Sequence, residues 1–193
     1  MFYMEEIKNP CKGYDKVPTI LEKKDRVIAI GDVHGDLDLT KSIFRLMHLV
    51  KDGKWIGKDC VVVQVGDQVD SYRPGADESK DVADDINVMN YFQDMHNQAK
   101  LYGGAVYSLL GNHEIMNSMG NMTYASKENV KNFKYQKKDR IYLGPEGRLK
   151  AFKPFGLDAD GNIEGDLARE MACTRPSVLV IGKTLFAHAG VLP

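Results

Sequence analysis

The stretch that decides the fold is VIAIGDVHGDLD, which occupies residues 27–38. Its four apolar residues run directly into Gly31, Asp32 and, one residue later, His34. A short apolar run bounded by glycine is typical of a buried strand. Alternation in an extended segment points residues i and i+2 the same way, so the carboxylate of Asp32 and the imidazole of His34 can bind one ion. The stretch therefore predicts a strand with a metal site at its end.

Similar apolar runs recur along the chain and predict a layered α/β fold. Strands are expected at residues 26–30, 60–65 and 105–110, a hairpin at 177–187, and helices over apolar stripes at 37–50 and 82–99. Alternation of strands and helices is the pattern of a sheet with helices packed on it. The polar, glycine-rich residues 120–166 are expected to be helix and loop covering one face.

The predicted strands and the hairpin end in similar sequences: GDVHG, VGDQVD, LLGNHE and FAHAG. Ligands of open α/β sheets bind outside the carboxyl ends of the strands, so these four segments can converge in space. Between them they supply carboxylate, amide and imidazole groups. The candidate side chains are Asp32, His34, Asp67, Asp70, Asn112, His113 and His188.

This mixture of oxygen and imidazole ligands suits Zn, Fe or Mn, rather than a structural zinc site built from thiolates. A second ion beside the first would need a bridging carboxylate, and Asp67 is the natural choice. Each segment alone has an ordinary explanation, such as a turn aspartate or a histidine of the core. Their occurrence after successive apolar strands favours a joint metal site.

Composition narrows the class of protein. The chain has 193 residues, 43% hydrophobic and 27% charged, and is expected to be one globular domain. Its formal net charge of −1 gives it no overall electrostatic attraction for nucleic acid or lipid. No apolar run approaches the roughly 20 residues of a membrane helix. Its three scattered cysteines suggest no disulfide framework and favour a reducing compartment. With an N-terminus unlike a signal peptide, a cytoplasmic location is expected.

The four motifs resemble the ordered signature of calcineurin-like metallophosphoesterases, specifically the phosphoprotein phosphatase family. GNHEIMNSMGNMTYAS, VGDQVDS and the ending RPSVLVIGKTLFAHAGVLP are most similar to its bacterial-type Shewanella-like phosphatase branch. The resemblance covers residues 26–193, which we take as the catalytic domain, with residues 1–25 as an N-terminal leader. It implies a β-sandwich flanked by helices, with a two-metal centre at one edge of the sheets.

The resemblance also implies a role for each matching residue. Asp32 and His34 would hold the first metal, Asp67 would bridge both, and Asn112 and His188 would hold the second, the ions being Mn, Fe or Zn. His113 matches the general acid that protonates the leaving oxygen, and Asp70 matches the acid that orients its imidazole. Such a site would let a hydroxide activated by two metals attack a phosphate ester without a phosphoenzyme.

The implied function is a metal-dependent protein phosphatase that acts on phospho-Ser, phospho-Thr or phospho-Tyr. One alternative is a symmetrical dinucleoside-tetraphosphate hydrolase, since such enzymes share these motifs. A second alternative is an inactive fragment or pseudophosphatase that serves as a binding module. The oligomeric state is left open.

Two departures from the family pattern bear on that choice. The family motif GDxxDRG places a phosphate-binding arginine after the second aspartate, whereas here Asp70 is followed by Ser71 and the nearest arginine is Arg73. Arg73 is a candidate substitute, and a surface arginine is the alternative. The sequence also stops soon after FAHAG, where relatives continue with a further metal-binding histidine, so the domain is expected to be incomplete at its C-terminus.

Overall fold

Two small sheets pack against each other through a shared apolar cluster, and helices cover the outer face of one of them. The structure is a computed structural model that describes residues 9–77, 84–154, 156–157 and 163–190. Its strands are β1 (Ile20–Leu21), β2 (Val27–Ile30), β3 (Val50–Lys51), β4 (Lys54–Trp55), β5 (Val61–Gln64), β6 (Ala105–Ser108), β7 (Lys134–Lys137), β8 (Arg140–Leu143), β9 (Gly156–Leu157), β10 (Ile163–Glu164), β11 (Val178–Ile181) and β12 (Thr184–Ala187). Its helices are α1 (Leu37–Leu46), α2 (Asp85–Lys100), α3 (Asn112–Ser118), α4 (Lys127–Lys131), α5 (Gly144–Phe152) and α6 (Asp166–Thr174).

The first sheet contains β2, β5 and β6 in that order, all parallel. Ile30 lies opposite Gln64, and Gln64 lies opposite Ser108, so the three strands end at the same edge. The loops that carry GDVHG, VGDQVD and LLGNHE therefore start side by side. The three predicted strands are confirmed, each within two residues of its expected bounds.

The central strand β5 is buried on both faces, which explains its uninterrupted valine run. Val62 belongs to an apolar cluster with Phe44 of α1 and Phe92 of α2. Val61 and Val63 belong to a second cluster that includes residues of β11. Fully burying each valine contributes roughly 1.5–3 kcal/mol, so this strand anchors the three layers.

Both predicted helices are present, but the first ends at Leu46, because His48 takes a left-handed φ of +52°, and Val50 at the end of its predicted stripe lies in β3. The helix α1 begins after Asp36, whose side chain accepts a hydrogen bond from the backbone N–H of Leu39, as expected of a capping residue. The helix α2 begins at Asp85 and ends at Lys100, just before Gly103. The start of its predicted stripe, Val82, lies outside the described residues.

The second sheet joins the predicted hairpin to the N-terminal segment. β11 and β12 pair antiparallel, and β1 pairs parallel with β11, Ile20 opposite Val180. Part of the predicted leader is therefore a strand of this sheet. The boundary at residue 25 stays a prediction, and residues 1–8 and 191–193, at the ends of the two predicted segments, lie outside the described residues.

Residues 120–166 depart from the helix and loop expected there, because they include the antiparallel hairpin of β7 and β8. Each strand turns one buried tyrosine inward, Tyr135 and Tyr142, and the two rings stack with centroids 5.8 Å apart. One buried residue per strand is too short an alternation to be recognised from sequence. Residues 155 and 158–162 of this segment lie outside the described residues.

The cysteines also depart from expectation, because Cys11 and Cys173 form a disulfide across 162 residues. It ties the N-terminal segment to the end of α6, while Cys60 is free and buried. Cysteines this far apart carry no spacing signal, so only the fold reveals the pair. Among the described residues, no helix has both the length and the apolar character needed to cross a membrane.

Candidate metal centre

The four motif segments converge at the carboxyl edge of the first sheet. Asp32 and His34 come from the loop after β2, and Nε2 of His34 lies 3.7 Å from Oδ2 of Asp32. Nδ1 of His188, from the segment after β12, lies 3.8 Å from Oδ1 of Asp32. The site therefore draws on both sheets.

Asp67 occupies the centre of the site and is 3% exposed. Its Oδ2 lies 3.9 Å from Nε2 of His34, 3.9 Å from Nε2 of His113 and 3.4 Å from Nε2 of His188. Its Oδ1 accepts a hydrogen bond from the backbone N–H of His113 at 2.9 Å. One carboxylate oxygen is thus directed at three imidazoles.

The opposite ring nitrogen of each histidine is held by an acceptor. Nδ1 of His34 lies 3.0 Å from the carbonyl oxygen of Val69, and Nδ1 of His188 lies 3.1 Å from that of Val65. A carbonyl can only accept, so each Nδ1 carries the proton and each Nε2 offers a lone pair. Metal-binding histidines are characteristically oriented in this way.

Asn112 completes the predicted ligand set. It is the first residue of α3, and its Oδ1 lies 2.9 Å from Nε2 of His188. Both side chains therefore present donor atoms to the same point beside Asp67.

The donors fit metal ions. Two groups have ligand atoms within 4.8 Å of one another, one of His34, Asp67 and His113 and one of Asp32, Asp67 and His188. Ligands about 2.0–2.2 Å from a common ion are spaced roughly 3–4 Å apart, which matches these separations. Both groups share Asp67, as a bridging carboxylate would. The structure therefore contains groups able to hold metal. In these groups His34 lies with His113, while Asp32, which is also near His34, lies with His188.

The loops that carry these ligands pack unusually closely. A Cβ at Gly111 would lie 2.2 Å from Oδ1 of Asp67, and one at Gly66 would lie 2.5 Å from the backbone nitrogen of Gly111. Gly66 also has a φ of +113°, a conformation open to glycine. The glycines thus let the second and third loops approach each other, and any side chain at either position would push the ligands apart.

Glu114, fully buried, locks those two loops together. Its carboxylate accepts hydrogen bonds from the backbone N–H groups of Asp67 at 3.0 Å, Gln68 at 2.8 Å and Gly111 at 2.8 Å. Arg175 lies behind it, with Nη2 donating to Gln68 Oε1 at 2.9 Å and Nη1 3.9 Å from Glu114 Oε1. Glu114 belongs to the motif LLGNHE, but the sequence alone does not reveal this role.

Burial raises the pKa of the Asp67 carboxyl, and the negative charge of Glu114 acts in the same direction. The hydrogen bond from the His113 backbone and the charges of His113 and His188 oppose the effect. A buried carboxylate favours a nearby cation because the cation stabilises its ionised form. The electrostatics therefore suit a bound metal.

His113 and Asp70 lie together as predicted. Nδ1 of His113 lies 3.0 Å from Oδ2 of Asp70, which is fully buried, and Nε2 of His113 faces Asp67. Behind Asp70 lie three further buried side chains that the sequence analysis did not identify, Asp85, Asn117 and Arg148. They come from three different helices, and although Asn117 lies within the segment GNHEIMNSMGNMTYAS, no motif marks Asp85 or Arg148.

Arg73 is not among the residues brought into direct contact with the ligands. Its Nη1 donates to the backbone carbonyls of Asp70 and Tyr72, and its guanidinium lies 5.9 Å from the ring centroid of Tyr124. The Tyr124 ring lies edge-on to the His113 ring, with centroids 5.1 Å apart. Arg73 is thus separated from His113 by one aromatic ring.

Comparison with known proteins agrees with this geometry. The family model for calcineurin-like phosphoesterases matches residues 25–190. An uncharacterized protein of Acanthamoeba polyphaga mimivirus is 51% identical over 106 residues, which cover 54% of this chain and 38% of that protein. Shewanella-like protein phosphatase 2 of Arabidopsis thaliana is 27% identical over 211 residues, covering 96% of this chain and 51% of its own length. The chain thus spans about half or less of the length of these relatives.

Among solved structures, a cold-active protein-tyrosine phosphatase of a psychrophilic Shewanella species superposes with a TM-score of 0.64 at 19% identity. The match covers 92% of this chain and 46% of that one. At this identity the likeness concerns the fold, and it confirms the predicted β-sandwich flanked by helices.

Proposed function

Because the chain belongs to the calcineurin-like phosphoesterase family, we propose that it is a metal-dependent phosphomonoesterase. One observation carries the proposal: Nε2 of three histidines from three different loops faces a single carboxylate oxygen of Asp67. Lone pairs of ring nitrogens that surround a buried carboxylate oxygen cost stability unless a positive ion binds between them. The arrangement of the side chains therefore suits the chemistry of the same family that the sequence motifs indicated.

The ligands would be divided as the motifs imply. Asp32, His34 and Asp67 would hold one ion, and Asp67, Asn112 and His188 the other, with Mn, Fe or Zn as candidates. When bound, such ions supply an acidified water as nucleophile and draw charge from the phosphate oxygens.

The protein's own acid catalyst would be His113. Its Nδ1 donates to Asp70, which leaves Nε2 directed into the site, where it can carry the proton that the leaving oxygen needs. Asp70 orients the imidazole because its buried carboxylate accepts the Nδ1 proton in direct contact with the ring.

The proposed substrate class is a phosphorylated protein side chain. The plant relative is named a protein phosphatase and the structural neighbour a protein-tyrosine phosphatase, and both names support this choice. Arg73 is proposed to bind the substrate phosphate, since its guanidinium contacts the ring of Tyr124, which in turn contacts the ring of His113.

A cytoplasmic location stays a prediction, and the structure supplies an argument against it. The disulfide between Cys11 and Cys173 is of a kind that persists in oxidising compartments and is rare in the cytosol.

The proposed function is tested by hydrolysis of 4-nitrophenyl phosphate after incubation with Mn²⁺, Zn²⁺ or Fe²⁺, before and after chelation. We expect turnover that the chelator removes and that His113→Ala lowers at least ~100-fold. His48→Asn is the matched control, because His48 is exposed, belongs to none of the four motifs and has a φ of +52° that asparagine tolerates. Phosphopeptides and diadenosine tetraphosphate, assayed in parallel, distinguish the substrate classes. Absence of turnover with every metal would contradict the proposal.

A further inference from the structure

A buried polar cluster lies directly behind the pair formed by His113 and Asp70. Asp70, Asp85 and Arg148 are each 0% exposed, and Asn117 is 1% exposed. Four polar side chains, three of them charged, are thus completely removed from water. Burial of this kind is costly unless every charge is paired, so the contacts within the cluster must be specific.

Arg148, from α5, is at the centre of the cluster. Its Nη2 donates to Oδ1 of Asp70 at 3.1 Å and to Oδ2 of Asp85 at 2.8 Å. Its Nε donates to Oδ1 of Asn117 at 3.1 Å. One guanidinium therefore binds both carboxylates and the amide.

The backbone N–H and both carboxylate oxygens of Asp70 are held by neighbouring buried side chains. Its backbone N–H donates to Oδ1 of Asp85 at 3.2 Å, and its Oδ1 accepts from Arg148. Its Oδ2 accepts from Nδ2 of Asn117 at 2.7 Å and contacts Nδ1 of His113. Asp70 also has a φ of +69°, which is unusual for an aspartate and persists only where the surroundings hold it.

The guanidinium is fixed by aromatic rings as well. Its central carbon lies 5.5 Å from the ring centroid of Phe133 and 5.0 Å from that of Phe152. Nη1 of Arg148 is buried with no hydrogen-bond partner among the described residues. The position of the group is thus determined closely, even though one of its nitrogens is left unsatisfied.

We propose that Arg148 is a positioning residue that fixes Asp70, and through it the Nδ1–H tautomer and ring orientation of His113; its catalytic consequence rests on the proposed function. Buried ion pairs seldom add net stability over apolar groups of similar volume, so packing alone does not explain this arginine. Without it, Oδ1 of Asp70 loses its donor, and the carboxylate is held only through Oδ2, by Asn117 and His113, so its orientation towards His113 is less tightly fixed. Proton donation to the leaving oxygen would then suffer more than substrate binding.

The test compares Arg148→Met and Arg148→Lys with wild type on two aryl phosphates, 4-nitrophenyl phosphate with a good leaving group and phenyl phosphate with a poor one. For Arg148→Met we expect kcat to fall ~10-fold on the first and ~100-fold or more on the second, with KM nearly unchanged. Arg148→Lys should recover part of the loss, because lysine restores a charged donor without the planar fork. Arg140→Met, which changes a partly exposed arginine paired with Asp166, is the matched control and should leave both rates unchanged.

Arg148→Met leaves two carboxylates buried together, so a second variant separates misfolding from mispositioning. The double variant Arg148→Met, Asp85→Asn removes the excess charge, and its melting temperature reports on folding. Positioning predicts that the double variant still shows the steep dependence on leaving group. Equal losses on both esters, or full recovery in the double variant, would overturn the inference.

A spectroscopic measurement keeps the inference testable if the wild type hydrolyses nothing. In protein labelled with ¹⁵N-histidine, the Nδ1–H signal of His113, assigned with His113→Ala, should be present in wild type and lost or shifted in Arg148→Met. An unchanged signal would overturn the inference. Inactivity of the wild type, by contrast, would overturn only the proposed function.

Discussion

Oδ2 of Asp67 lies 3.4 Å from Nε2 of His188, although Asp67 follows a strand of the first sheet and His188 follows a strand of the second. The candidate metal centre therefore lies across the seam of the sandwich. Any ligand that holds these two side chains together also holds the two sheets together.

From this placement we expect divalent cations to stabilise the fold. A ligand that binds only the native state at 100 times its dissociation constant contributes about 2.7 kcal/mol. Mn²⁺ should therefore raise the melting temperature of the wild type, and Asp67→Asn should abolish the rise because both ligand groups share Asp67. Asp94→Asn, on the exposed face of α2, is the control and should respond as wild type does. An equal rise in Asp67→Asn would contradict a shared site.

We expect Glu114→Gln to destabilise the protein and to weaken metal binding. The carboxylate of Glu114 accepts hydrogen bonds from backbone N–H groups, and the glutamine amide would place its own N–H against one of them. The change would also remove the negative charge that lies beside Arg175. The cost should be roughly 2–4 kcal/mol of unfolding free energy, measured by urea titration. Glu146→Gln removes an exposed charge paired with Lys150 and should give the wild-type curve. Equal midpoints for the two variants would mean that Glu114 does not lock the loops.

Local sequence was sufficient to predict the strands and to place the candidate ligand side chains after them. Asp32 and His34 lie within one short segment, and each loop starts where an apolar run ends, so neighbouring residues in the chain carry the signal. The sharing of an edge by parallel strands then brings the loops together. Hence the centre, although assembled from distant parts of the chain, was predictable from four local patterns.

The parts that sequence did not predict depend on contacts without a local pattern. Arg148 and Asp70 are 78 residues apart, and a single arginine in a polar segment reads as a surface residue. The same holds for Cys11 and Cys173. Glu114 is intermediate, because its motif was recognised but its three backbone partners become visible only when the loops are folded.

We expect Arg73→Ala to raise KM for aryl phosphates ~10-fold while kcat changes little, because a phosphate contact present equally in ground and transition states affects binding alone. Arg73→Lys should retain part of the affinity, since lysine keeps the charge but not the bidentate fork. Arg45→Ala, at the exposed end of α1, is the control. An unchanged KM would identify Arg73 as a surface residue.

We expect reduction of the disulfide to lower stability by about 2–5 kcal/mol, because the bond closes a very long loop of the unfolded chain. Cys11→Ser should show the same loss and should no longer respond to reductant. Thiol titration of the denatured, unreduced wild type should find one free thiol, that of Cys60. Three free thiols in protein purified without reductant would contradict the pairing of Cys11 with Cys173.

We expect His96, which lies on α2, to make the stability of the fold depend on pH. Burial lowers the pKa of His96, and the positive charge of Lys100 acts in the same direction, whereas the backbone of Val106 and the charge of Asp15 oppose it. As the pH falls through about 6.5, the unfolded chain takes up a proton at this histidine that the folded chain resists. In this window the unfolded state binds more protons than the folded state. The free energy of unfolding must therefore decrease as the pH is lowered. His96→Gln should therefore lose less stability than wild type between about pH 7.5 and pH 5.5 in urea titrations. Asn97→Ala, which alters the neighbouring surface without a titrating group, should keep the wild-type loss. An identical loss in His96→Gln would mean that the folded protein does not resist protonation at this position.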